Sequence, residues 1–279
     1  MRLSTAWKCV LAVAVTSLVA CGRPGATSAI PLDDPAIAPN AAPKMLFDDE
    51  FDGTALDRVW STCYPWSQPA AGCTNNPSLE LEWYVRPNVT VSGGYLALTA
   101  KAQRAHGHPY TSGMISTGGT PSRLPSFSYL YGYAESRIEL PRGTGMWPAF
   151  WLVPADYSWP PEIDIMEWQG VAPKDDIVTI HWGSAKHPLQ SSTAVNTKTR
   201  LWSGYHVYAL DWEPARVVWY FDGKPIKTYA NAAHIPHKPM YVILNLAIGG
   251  WKAGQLHPKP SSFPATMSVD YVRIWNKKP

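Results

Sequence analysis

Charge is scarce in this chain of 279 residues. Asp, Glu, Lys and Arg make up 16% of it, against about 25% in an average soluble domain. The 24 basic and 21 acidic residues leave a net charge of +3. So weak a field excludes a nucleic-acid partner, whose binding depends on clustered Lys and Arg neutralising phosphates. Long apolar runs are lacking as well. Cys9 to Ala20 is a short apolar stretch, too short to span a bilayer. No long amphipathic helical pattern is present, which argues against a helical bundle or coiled coil, and no internal repeat is visible. Cysteine is rare, at four residues. What the chain has instead is ring and turn: 14 Trp, 14 Tyr, 27 Pro and 20 Gly. Such a composition suits short strands joined by turns, and aromatic surfaces that accept flat apolar ring faces, those of sugars among them.

The N-terminus reads as an export signal, with Arg2 and Lys8 ahead of the apolar stretch. Its end, Leu18-Val19-Ala20-Cys21-Gly22, resembles the lipobox of bacterial lipoproteins, in which the cysteine is lipidated and becomes the first mature residue. An ordinary cleaved signal is the alternative. The expectation is a signal over residues 1–20, lipidation at Cys21 and an Ala/Pro-rich tether over 21–44. One lipid group would hold the protein on a membrane surface of the bacterial envelope without making it span; secretion is the other outcome. With Cys9 removed and Cys21 lipidated, Cys63 and Cys73 remain, and in an exported protein they are expected to form a disulfide. Residues 45–279 contain no second linker and are read as a single domain, monomeric by default.

Short alternating runs fill that domain. Glu82 to Thr90, Tyr95 to Lys101, Tyr133 to Leu140, Ile177 to Trp182, Tyr205 to Trp212, Tyr241 to Ala247 and Val269 to Trp275 read as strands. Val217 to Phe221 and Lys224 to Tyr229 flank Asp222-Gly223, a hairpin signal. Many short strands with Gly/Pro turns imply an all-β sandwich or barrel.

The stretch richest in chemistry is Pro161-Glu162-Ile163-Asp164-Ile165-Met166-Glu167-Trp168. In a regular strand Glu162 and Asp164 share one face and Glu167 points to the other. A single β-bulge at Ile165-Met166 adds a residue without advancing the alternation, and Glu167 then rejoins its two neighbours. Three carboxyls on one face raise at least one pKa. One stays protonated while another ionises, the division that glycoside hydrolysis requires. An acidic surface strand or a calcium-binding face is the plainer alternative. The surrounding tryptophans, Trp147, Trp151, Trp159 and Trp168, favour a sugar cleft.

The Glu-x-Asp-x-x-Glu strand behind Trp147-Pro148-Ala149-Phe150-Trp151 resembles glycoside hydrolase family 16, and within it the laminarinase-like endo-β-1,3-glucanases. Phe47 to Gly53, Tyr84 to Val89, Gly94 to Leu96, Thr111 to Ile115, Tyr131 to Tyr133, Leu244 to Gly250 and Val269 to Arg273 agree in order. The resemblance implies a β-jelly roll of two curved antiparallel sheets with a cleft, and a retaining double displacement on a β-glucan, β-1,3 or mixed β-1,3-1,4. It implies Glu162 as nucleophile, Glu167 as general acid/base and Asp164 as their assistant. Less directly, it implies substrate contacts from Trp147, Trp151, Trp168, His181, Arg86, Asn88, Asn245 and Trp251. No catalytic cofactor is implied; a structural calcium ion would sit at Glu50, Gly94 and Asp270. Two features depart from the family: the Cys63–Cys73 loop, and Pro161 where Gly is frequent. A β-galactan hydrolase, a transglycosylase and a non-catalytic lectin on the same fold are the competing functions.

Overall fold

The computed structural model describes residues 41–67, 73–119, 123–250 and 257–279. The signal segment 1–20, Cys21, most of the tether and Trp251 lie outside the described residues. Within them the strands are β1 (Met45–Asp49), β2 (Glu82–Tyr84), β3 (Val89–Ser92), β4 (Tyr95–Ala100), β5 (Tyr110–Ser112), β6 (Met114–Ser116), β7 (Gly132–Glu139) and β8 (Met146–Pro154). There follow β9 (Glu162–Glu167), β10 (Asp175–Ser184), β11 (His187–Asn196), β12 (His206–Trp212), β13 (Val217–Phe221), β14 (Lys224–Tyr229), β15 (Met240–Ile248) and β16 (Ala265–Trp275).

Fourteen of these strands form two large antiparallel sheets, and β2 and β5 pair in parallel as a small third sheet. One has eight strands in the order β14-β13-β12-β7-β16-β4-β3, with β1 added against β16; the other has six, β11-β10-β9-β8-β15-β6. The all-β sandwich expected from the turn-rich pattern is what forms. The Asp222-Gly223 hairpin is present too, with both residues at positive φ (47° and 74°), the geometry that matches the strand twist. The run Glu82 to Thr90 is not one strand. A 3-10 turn at Arg86–Asn88 divides it into β2 and β3, because Pro87 has no N–H to give a ladder.

The core lies between the sheets. Leu96, Leu98, Ile138, Leu210, Trp219 and Val269 from the larger sheet meet Phe150, Leu152, Ile163, Ile180, Val242 and Leu244 from the smaller. Each is buried, and each such side chain contributes about 1.5–3 kcal/mol. The opposite face of the six-stranded sheet carries a second cluster, in which Tyr64, Tyr84, Trp151 and Tyr241 pack with Cys73. Cys63 and Cys73 are joined in a disulfide, with their Cα atoms 5.3 Å apart. This face holds a cavity of about 680 Å³.

Candidate active site

The extra residue in β9 decides which way its acids point. Against β8, Asp164 faces Trp151, Met166 faces Phe150 and Glu167 faces Ala149, so Ile165 has no partner. Against β10, Asp164 faces Thr179 and Glu167 faces Ile177, again three steps on β9 against two. Glu162, Asp164 and Glu167 therefore all line the cavity, while Ile163, Ile165 and Met166 enter the core. Trp219 reaches through the core from β13 and donates its indole N–H to the Asp164 carbonyl (2.8 Å), tying the larger sheet to the bulge. β9 begins at Glu162, so the missing N–H of Pro161 falls outside the ladder.

Each acid has its own environment. Glu162 accepts from Trp159 Nε1 (2.8 Å) on one oxygen and lies 3.4 Å from His181 Nε2 on the other. Asp164 is 3.1 Å from the same His181 nitrogen. Glu167 accepts from Trp147 Nε1 at 3.0 Å. Burial, then the charge of Asp164, pushes Glu162 up to about 8, while His181 and the Trp159 hydrogen bond pull the other way. Burial and the charge of Asp164 lift Glu167 well above the ordinary carboxylate range, against the pull of the Trp147 hydrogen bond. Burial lowers His181, but its hydrogen bond to Asp164 and the charges of Asp164 and Glu162 prevail and raise it to about 9. Of the two glutamates, Glu162 is thus the better placed to ionise and Glu167 to keep a proton. Donor atoms of Glu162, Asp164 and His181 lie within 4.8 Å of one another and form the one acid–histidine group among the described residues that could hold a metal ion.

The remaining residues singled out in the sequence divide. Trp147, Trp151, His181 and Asn245 line the cavity. Trp151 donates to Asn245 Oδ1 (2.7 Å), and Asn245 donates in turn to the Tyr84 hydroxyl (3.0 Å), which fixes the Trp151 ring. Trp168 does not reach the cavity. Alternation after Glu167 sends it into the core, 1% exposed, where its indole N–H meets the Ala172 carbonyl at 2.7 Å. Arg86 is exposed in the 3-10 turn away from the cavity, and buried Asn88 donates to Thr111 Oγ1 (2.9 Å) within the protein. Neither lines the cavity. At the calcium positions, both Glu50 carboxylate oxygens accept from Arg273 (2.7 and 2.8 Å), and Asp270 pairs with Arg137. Two carboxyls already neutralised by guanidinium groups are a poor fit to a side-chain-bound calcium ion.

Sequence reasoning missed a strip of the wall. Glu80 lines the cavity beside Asn75 and Asn76, and Glu82 beneath it accepts from the Ile248 N–H at 2.6 Å. Burial pushes Glu82 up to about 7; burial and the charge of Glu82 raise Glu80 well above its usual range. The signal was the alternation Glu80-Leu81-Glu82-Trp83-Tyr84, which sets Glu80, Glu82 and Tyr84 on one face. Gly249 allows this strip to pack close, since a Cβ there would lie 2.2 Å from the Leu79 carbonyl oxygen. Tyr64, Trp66, Tyr157 and Tyr241 also line the cavity without having been singled out.

Residues 78–273 match the sequence pattern of the glycosyl hydrolases family 16. The chain belongs to that family. Among family 16 relatives it is 38% identical over 251 residues to endo-1,3-1,4-beta-glycanase EglC of Rhizobium meliloti, covering 82% of this chain and 51% of that protein. It is 32% identical over 256 residues to a beta-glucanase of Rhodothermus marinus, covering 83% and 85% of the two chains. Among solved structures, the endo-beta-1,3-glucanase from Pyrococcus furiosus superposes with a TM-score of 0.70 at 29% identity, covering 84% of this chain and 94% of that one. The chain spans about half the length of the first curated relatives it matches. The family 16 jelly roll is the fold described above, and the resemblance read from β9 and its flanking segments holds.

Proposed function

We propose that this family 16 chain is an endo-hydrolase of β-1,3 or mixed β-1,3-1,4 glucan that works by a retaining double displacement. The observation that carries the reading is the bulge in β9, which gathers Glu162, Asp164 and Glu167 on the floor of a cavity lined by indoles. The names of the relatives, beta-glucanase and endo-1,3-1,4-beta-glycanase, support the substrate class. In this reading the Glu162 carboxylate attacks the anomeric carbon while Glu167 gives its proton to the departing glycosidic oxygen. Glu167, now a carboxylate, takes a proton from the water that cleaves the glycosyl ester and frees Glu162. Asp164 and His181 position Glu162. Trp147 holds Glu167 through its indole N–H and, with Trp151, offers apolar faces to sugar rings.

The test is chemical rescue. Glu162→Ala is expected to lose nearly all hydrolysis of laminarin and lichenan. With azide and an aryl β-glycoside of a gluco-oligosaccharide it should form the α-glycosyl azide, seen by anomeric NMR. Near-wild-type hydrolysis by that variant would remove Glu162 from its role. A parallel panel with curdlan, agarose and carrageenan checks the glucan assignment against the galactan one.

Residues 1–21 add a proposal about place: export, and attachment to the envelope through a lipid on Cys21. The mass of the mature N-terminus tests it. Among the described residues no helix is long and apolar enough to cross a membrane.

A further inference from the structure

The disulfide loop ends at the cavity, and an aromatic stack stands on it. Tyr64 and Trp66 lie just after Cys63, and their rings stack with centroids 4.7 Å apart and planes 15° from parallel. Tyr64 is buried, at 2% exposure, and touches both Tyr84 and Trp151. Trp66 is 38% exposed. One face of its indole is therefore backed by Tyr64, while the ring lines the same cavity as the three acids and meets Trp151 at 6.3 Å and 60°. A large apolar ring held rigid on one side and open on the other, beside a cleft, is not explained by core packing.

We infer that Trp66 is a sugar-binding platform, held in place by Tyr64 and the Cys63–Cys73 disulfide, which extends the cleft on its β8–β15 side. Its ligand is one pyranose ring of an uncharged glucan chain, stacked through its C–H face on the open side of the indole. The occupant follows from continuity: the ring contacts Trp151, whose partner across the ladder is Asp164, so a chain lying over β9 and β8 runs on to Trp66. Toward β10 and β11 the cavity is lined by Thr179, Gln190 and Ser192, with the Trp159 ring against His181. This inference rests on the glucan reading above.

The experiment compares Trp66→Ala with wild type on laminarin, on gluco-oligosaccharides of increasing length and on a short aryl glycoside that does not reach the platform. Expected is a loss of about tenfold in kcat/KM on the long substrates, carried by KM, the loss of one stacking contact. The short substrate should be unaffected, and Trp66→Phe should restore most of the loss. The paired Cys63→Ser and Cys73→Ser variant should reproduce the length-dependent defect. An equal loss on short and long substrates would make Trp66 merely structural, and no loss on either would remove the platform. If the wild type cleaves no glucan, it is the substrate reading that fails. Wild-type activity with an indifferent Trp66→Ala defeats the platform alone.

Discussion

Among the described residues lining the cavity, His181 is the one side chain that can bring positive charge to the acids. It stands 3.1 Å from Asp164 and 3.4 Å from Glu162, and with its pKa raised to about 9 it is an imidazolium at neutral pH. Its charge lowers the pKa of Glu162, which burial would otherwise leave higher still. His181→Gln keeps a hydrogen-bonding group and removes the charge. The acidic limb of the kcat/KM profile, which follows ionisation of Glu162, should then move to higher pH, with a rate loss of about tenfold on that limb for each unit moved. An unmoved limb would show that His181 only packs. The grouping of Glu162, Asp164 and Glu167 is legible in the sequence because the strand period and one bulge suffice to place them. Glu80 and Trp66 are harder to read: alternation sets Glu80 on one face with Glu82 and Tyr84, but that this face meets the cavity depends on the non-local Gly249 contact, as the place of Trp66 depends on the disulfide. Trp168 misleads for the opposite reason: beside an acid in sequence, it lies on the other face of the strand.

At the scale of elements, the bulge in β9 is the feature that must not slip. Its inward residues, Ile165 and Met166, anchor it in the core, and Trp219 from the opposing sheet donates to the Asp164 carbonyl. Trp219→Phe keeps the ring in the core and leaves that buried carbonyl without its donor, at a cost of about 1–3 kcal/mol. The melting temperature should fall by about 2–10 °C. Because the lost bond sits at the bulge, kcat should fall with KM little changed. Trp212→Phe is the control: its indole donates to the Pro236 carbonyl (3.2 Å), so it should lose stability and keep kcat. Equal kcat in both variants would sever Trp219 from the site. The strands themselves are mostly legible, since alternation and the Asp222-Gly223 turn are local signals. What local signals do not specify is pairing: that β15, buried along its whole length, lies between β8 and β6 is a non-local fact.

Across the whole molecule, the buried acids set the dependence of stability on pH. Glu82 is raised to about 7 and Glu162 to about 8, and Glu80, Glu167 and Asp176 stand well above their usual values, all chiefly through burial. A carboxyl whose pKa is higher folded than unfolded favours the native state fully below about pH 4.5, and that contribution disappears as pH rises through the folded value. His181 adds the same sign, its share present below about 6.5 and lost through about 9. Asp156 opposes them. Lowered to about 2 first by its hydrogen bond to Lys238, it favours the fold above about pH 3.8, but it is largely exposed and weighs little. The melting temperature should therefore peak in mildly acidic solution and fall steadily toward pH 9. Glu80 and Glu82 isolate the cause. Each tenfold change in proton affinity is worth about 1.4 kcal/mol, so Glu82 alone carries on the order of 3 kcal/mol between acid and alkaline solution. Glu80→Gln with Glu82→Gln should raise the melting temperature at pH 8–9 and change it little at pH 4.5, measured by calorimetry across that range. A wild-type melting temperature that is flat or rising between pH 5 and 9 would mean that these acids are not held neutral in the fold, and the proton held on Glu167 would lose its physical basis with them.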